Sequence, residues 1–138
     1  MEDPSLYSVA KAEAKEFYAS FRRIFSPALG QDIYFTSEGF NHLIFKRLRL
    51  ERKRGAQLSR FAVLPIAVKL IGMATTYQEI ERREKEHTVY WGIVAIINKQ
   101  KIKVVVRKVG THGNVHFWSV FPQWVTSKRR DTKFFQGN

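Results

Sequence analysis

Between Thr88 and Gln123 the chain alternates β-branched and aromatic residues with short polar breaks, a pattern that predicts three strands, Thr88–Ile97, Ile102–Lys108 and Val115–Phe121. Asn98-Lys99-Gln100 forms the first break. The second, Gly110 to Asn114, holds two glycines suited to the positive φ that hairpin loops often need. Connections this short make antiparallel neighbours, so the stretch reads as a meander.

The period changes upstream. Val9, Ala12, Phe17, Phe21, Ile24 and Phe25 recur at helical spacing behind Ser8 as N-cap, predicting an amphipathic helix that Ser26-Pro27 ends. Asp32–Phe35 is a short strand able to pair with an edge of the later sheet. Thr36 or Ser37 then caps a second helix, with Phe40, Leu43, Ile44 and Leu48 as its apolar stripe and Gly55 as its stop. On that helix His42, Lys46, Arg49 and Lys53 would share another stripe. A third helix is expected within Leu58–Ala74, interrupted or started near Pro65. Thr75 to His87 fits a charged helix and an exposed edge strand equally well. The sum is a set of N-terminal helices followed by a small antiparallel sheet of three to four strands. It forms one domain over residues 1–138, with a core at 8–125 and a basic, flexible tail at 126–138.

Charge narrows the choice of partner. The 138 residues carry 24 Lys and Arg against 12 Asp and Glu, a net +12 that favours polyanions. Most of the imbalance sits in one run, where Lys46, Arg47, Arg49, Arg52, Lys53, Arg54 and Arg60 meet a single acid, Glu51. A phosphate-rich partner would relieve that repulsion. There is no cysteine, so thiolate metal sites and disulfides are excluded. No signal-peptide core opens the chain and no uninterrupted apolar run of membrane-spanning length follows, which leaves a soluble cytoplasmic protein without membrane contact as the expectation.

The chain holds no Gly-rich phosphate loop, no His-Glu-x-x-His, no EF-hand spacing and no Gly-x-Ser-x-Gly. Histidines, arginines, lysines and a strand serine remain. That set can cleave RNA without a metal or cofactor: a 2′-hydroxyl attacks the adjacent phosphate, imidazoles move protons, and cations stabilise the developing charge. His42 is the first candidate, its basic surroundings favouring the neutral form, although an isolated histidine is more often a packing residue. Arg107 ends a strand of valines and either snorkels off the sheet or enters a cleft. In a regular strand His116 and Ser119 point to opposite faces, so only one of them could reach a given cleft. Trp91, Trp118 and Trp124 could stack bases, but core packing is the commoner use of such residues.

Taken together, FTSEGFNHLIFKR (Phe35–Arg47), LPIAVKLIG (Leu64–Gly72), KIKVVVRK (Lys101–Lys108) and HFWSVFP (His116–Pro122) resemble the phage-associated branch of the barnase, EndoU, colicin and RelE-like nuclease superfamily. The resemblance covers residues 32 to 124. It implies an α+β fold with N-terminal helices packed on an antiparallel sheet, an active site on the sheet's exposed face, metal-independent endoribonuclease activity as a toxin or effector, and an acidic inhibitor protein as partner beside RNA. Residue by residue it implies His42, Arg107 and Ser119 as catalytic, with His116 standing in for a second histidine, since Lys46-Arg47 occupies the place where one is frequent. Lys46, Arg47, Arg49, Arg52 and Lys53 would hold phosphates. A non-catalytic RNA- or DNA-binding domain on the same basic fold is the alternative.

Overall fold

The computed structural model describes residues 4–47, 50–124 and 135–137. Three helices, α1 (Pro4–Ala19), α2 (Ser37–Ile44) and α3 (Arg54–Met73), pack with a sheet built from β1 (Arg23–Ser26), β2 (Gln31–Tyr34), β5 (Glu79–Arg83), β6 (Thr88–Ile97), β7 (Gln100–Val109) and β8 (Val115–Trp124). The spatial order is β1-β2-β8-β7-β6-β5, and β9 (Phe135–Gly137) adds to β6 beyond β5. The α+β class is as expected, but the sheet exceeds three to four strands. The meander β6-β7-β8 forms its centre, antiparallel throughout, and β2 joins β8 in parallel. Between β6 and β7 the loop is Asn98-Lys99, with φ of 51° and 65°, as a two-residue hairpin of this twist requires. Of the two loop glycines after β7, only Gly110 takes positive φ. Gly113 is needed instead for room, because a Cβ there would collide with the Val109 carbonyl.

Several expected boundaries move. The first helix begins at Pro4 rather than after Ser8, and stops at Ala19, so Ile24 and Phe25 belong to β1. Arg23 to Ser26 alternates in exposure like a strand, and pairing with β2 outweighs its helical spacing. The second helix ends at Ile44, where Phe45 takes extended geometry. Prolonging it would have stacked Lys46, Arg47, Arg49, Arg52 and Lys53 at like-charge i, i+3 and i, i+4 spacings, each costing about 0.2–0.5 kcal/mol. The chain instead makes a ribbon of β3 (Phe45–Arg47) and β4 (Leu50–Glu51). Gly55 therefore does not stop a helix but lies in the first turn of α3. Pro65 does not interrupt α3, because it sits on the exposed side, where water can satisfy the carbonyl it leaves unbonded. Glu79 to Arg83 is the edge strand, every residue exposed and most of them charged, which blunts edge-to-edge pairing.

By length and composition α3 could cross a membrane, with a mean hydropathy of 1.3, yet here Leu64, Ala67 and Ile71 are fully buried in the core. They meet Ile93, Ile102, Val104, Val106, Val115 and Phe117 from the sheet, and Tyr7, Ala14 and Tyr18 from α1. Each large side chain so buried contributes roughly 1.5–3 kcal/mol. Two features of this packing place the site. After two pairs with β8, at Ile33–Val115 and Tyr34–His116, β2 gives way to α2, which packs against the rest of that strand. Close approach there depends on Gly39, where a Cβ would fall 2.6 Å from the Phe117 carbonyl oxygen.

Candidate functional site

Register along β7 and β8 decides which side chains meet. Val105 faces Ser119 while Val106 faces Phe117, so Trp118 is an extra residue in β8. Such a bulge sets two residues against one and resets the alternation. His116, opposite Arg107, and Ser119, opposite Val105, therefore lie on the same face, away from α3. The expectation that strand parity would separate them is overturned. On that face one row crosses the sheet: Arg23, Tyr34, His116, Arg107, Tyr90 and Glu81 are successive neighbours on β1, β2, β8, β7, β6 and β5.

Arg107 is the centre of this row. Its side chain is 17% exposed, its Nε donates to His116 Nε2 at 3.1 Å, and its Nη2 meets Glu38 Oε2 at 3.1 Å. The guanidinium lies 3.5 Å from the ring centre of Trp118, and Nη1 reaches Tyr90 Oη at 3.5 Å. Since an arginine nitrogen only donates, His116 Nε2 must be unprotonated. His42, on the same flank of α2 as Glu38 one turn earlier, has its ring 4.3 Å from that of Trp118. The bulge thus lets one indole carry both His42 and Arg107.

Electrostatics holds both histidines neutral. Burial depresses the His42 pKa most, and the cations Arg52, Arg60 and Arg107 add to it, leaving a value of about 4. His116 is also lowered, by burial and then by Arg107, while a backbone hydrogen bond at Asn114 and the Glu38 carboxylate pull the other way. Arg60 approaches from α3 with its guanidinium 5.4 Å from the Phe121 ring centre, and burial lowers its pKa to about 10. Among the described residues, the buried side-chain atoms without a hydrogen-bond partner are His42 Nδ1, Arg60 Nε and Ser119 Oγ. They belong to α2, α3 and the bulged half of β8 respectively. Desolvated and unpaired, they cost stability unless something else engages them.

His42, Arg107 and His116 therefore gather around Trp118, and Ser119 shares their face of the sheet instead of being separated from His116, but Lys46 and Lys53 of the expected phosphate-binding set do not join them. Lys46 is exposed on β3 and Lys53 is exposed at the start of α3, so no row of cations extends from His42 along a helix. Arg52 turns inward, its Nε donating to the His42 carbonyl oxygen at 3.1 Å. Arg49 and the side chain of Arg47 lie outside the described residues, as do the side chain of Trp124 and the tail apart from β9. Trp91 packs against the core, and Trp118 is occupied by Arg107 and His42. Sequence reasoning missed Glu38, Tyr90 and Arg60 as members of the site. For Glu38 a signal existed: it precedes His42 by four residues on one helix face.

A groove of about 700 Å³ adjoins Arg107, lined by Tyr90, Val105, Trp118 and Phe121 on one side and by β5 on the other. A larger cavity, about 1010 Å³, lies on the opposite flank of α2, bounded by Ser37, Asn41 and Phe45 together with α1, β1 and β2. Neither family models, nor curated proteins, nor solved structures gave a match to this chain.

Proposed function

We propose that this protein is a small cytoplasmic endoribonuclease of toxin or effector type that cleaves RNA by 2′-hydroxyl attack without a metal, the activity implied by the resemblance to the barnase, EndoU, colicin and RelE-like nucleases. One observation carries the reading: a mostly buried arginine converges with two neutral histidines on one face of the sheet, around a single tryptophan. A structural arginine of this kind would be expected to meet a buried acid. Glu38 is instead 66% exposed and can yield its place on Arg107 to a phosphate.

In the reaction the 2′-oxygen bonds to phosphorus and the bond from phosphorus to the 5′-oxygen breaks, leaving a cyclic phosphate and a free 5′-hydroxyl. His42, neutral far below pH 7, takes the 2′ proton. When a phosphate anion settles beside His116 and draws Arg107 Nε away from its Nε2, that nitrogen takes a proton from water and gives it to the leaving 5′-oxygen. Arg107 holds the non-bridging oxygens as their charge grows, with Arg60 adding positive potential and the Ser119 hydroxyl positioning the phosphate. An acidic inhibitor protein is the partner expected to mask this face in the producing cell.

The burial of His42 Nδ1 and Ser119 Oγ favours a second reading, in which the same face binds RNA or DNA without cleaving it. Incubating RNA with the protein, with and without chelator, and with His42→Ala and Arg107→Ala, separates the two. Cleavage that survives chelator and falls in both variants is expected. Cleavage lost to chelator would remove the metal-free mechanism, and intact RNA throughout would leave binding alone.

A further inference from the structure

We propose that the cavity between α1, β1, β2 and α2 is a binding groove for single-stranded RNA, receiving the nucleotides that flank the phosphate held at Arg107; the identity of the strand as RNA rests on the ribonuclease reading. The argument begins with charge. Lys11 and Lys15 of α1, Arg22, and Arg23 of β1 line this cavity, and no acidic residue does. Arg23 is partly offset by Asp32 at 3.5 Å across the strand pair. The other three have no carboxylate partner among the described residues, so their repulsion is relieved by a polyanion.

Between these cations the wall is aromatic. Phe21, Tyr34 and Phe45 line the cavity and are half-buried, leaving ring surface open beside the cations. A track of cations with interleaved aromatic faces is how proteins hold single-stranded nucleic acid, because every base offers a face to stack. Its volume of about 1010 Å³ sits at the upper end of small-molecule sites, which run to roughly 1,000 Å³. An open cleft of that size suits a chain of nucleotides entering from one end. A duplex, with its bases already stacked, could use the cations but not the rings.

Continuity with the reaction centre comes from the row across the sheet. Tyr34 lines the groove and is the direct neighbour of His116, which accepts from Arg107. Beyond Tyr34 the row ends at Arg23; in the other direction, beyond Tyr90, it ends at Glu81, beside Glu79 on the edge strand. A polyanion anchored at Arg107 is thus drawn over Tyr34 toward α1, whereas on the β5 side the cations Arg83 and Lys103 are already paired with Glu81 and Glu79. Ser37 and Asn41, one turn apart on α2, add hydrogen-bonding groups to the groove, while Glu38 and His42 on the adjacent stripe serve the reaction centre.

The test uses the triple variant K11A/K15A/R22A, whose residues lie outside the reaction centre, and a fluorescent 2′-O-methyl 12-mer that cannot be cleaved. Circular dichroism confirms folding, and anisotropy is followed from low to moderate salt. The variant should bind the 12-mer on the order of tenfold more weakly or worse, with a salt slope shallower by about 2, from three lost phosphate contacts at about 0.7 each. Cleavage of a dinucleotide, too short to reach the groove, should be unchanged. Equal affinity and slope for wild type and variant would overturn the groove, as would tighter binding of a duplex of the same length. The two readings fail separately. A wild type that binds but never cleaves, with binding lost in the variant, keeps the groove and removes the ribonuclease; active cleavage with unchanged 12-mer binding does the reverse.

Discussion

His116 and Ser119 lie on one face of the sheet although they are three positions apart, because Trp118 is inserted between the residues paired with Val105 and Val106. The inserted residue also supplies the surface on which Arg107 and His42 rest. Ser119 itself is fully buried with an unbonded hydroxyl. Ser119→Ala should therefore leave thermal stability unchanged or raise it by about 1 kcal/mol, since an unsatisfied buried group is removed. If the hydroxyl touches the scissile phosphate, RNA cleavage falls in the same variant. A loss of stability by denaturant titration would mean that the hydroxyl has a structural partner.

Arg107→Lys keeps the charge but not the fork. Lysine cannot meet His116, Glu38 and Tyr90 at once, nor lie flat on Trp118. Cleavage should drop roughly 100- to 1,000-fold, as when one preorganised donor is lost, while the far-ultraviolet circular dichroism is retained. A rate within a few-fold of wild type would show that only charge is needed there.

Glu38→Gln removes the carboxylate that holds Arg107 when no phosphate is present. The pair is exposed on the Glu38 side and is worth about 1 kcal/mol or less. Affinity for inorganic phosphate, measured by calorimetry, should rise by up to about fivefold. Because Glu38 raises the His116 pKa, nuclear magnetic resonance titration should show His116 protonating at lower pH in the variant. No movement of that titration would separate Glu38 from the histidine in solution.

For His42 the folded pKa of about 4 lies below the usual value of 6.5, so between these the unfolded chain binds the extra proton. Stability from this group is complete above about pH 6.5 and declines as the pH falls toward 4. Two measurements follow. The His42 ring signal should titrate near pH 4, and the acid limb of kcat/KM should lie well below 6.5 if this imidazole is the base. His42→Ala should flatten the stability decline over that window. Titration of His42 near 6.5 would remove its assignment as a desolvated base.

Gly39→Ala should cost several kcal/mol or displace α2, because the added methyl would fall among the Tyr18 hydroxyl, the Phe117 carbonyl and the Phe117 ring. Displacement moves Glu38 and His42 together, so cleavage should fall more than the global stability does. Retention of both properties would show that α2 can shift without consequence.

The meander was legible because its signals were local: valine, isoleucine and aromatic runs, with Asn98-Lys99 and Gly110 as turns. His42, Arg107, His116 and Ser119 could be singled out as candidates, but the sequence did not place His116 and Ser119 on one face. What the sequence hid was non-local. Arg23-Ile24-Phe25-Ser26 satisfies a helical period and a strand alternation alike, and only pairing with Gln31 to Tyr34 decides between them. The Lys46 to Lys53 run looks like one helical face until mutual repulsion and the β3-β4 ribbon are weighed. Trp118 could not be recognised as surplus from β8 alone, because a bulge is a mismatch between two strands. Arg60 and Glu38 reach the site from separate helices, and no spacing in the chain connects them.

The brevity of β2 has a further consequence. Had that strand continued beyond Tyr34, it would have paired with the remainder of β8 and taken the place where α2 now packs. A longer sheet and a histidine beside Trp118 are therefore competing outcomes of the same few residues, Phe35 and Thr36, where extended backbone turns into helix. Substitutions there that favour a strand would trade the cluster around Trp118 for sheet, and the junction is where an evolving chain of this fold would gain or lose that cluster without altering a single one of its side chains.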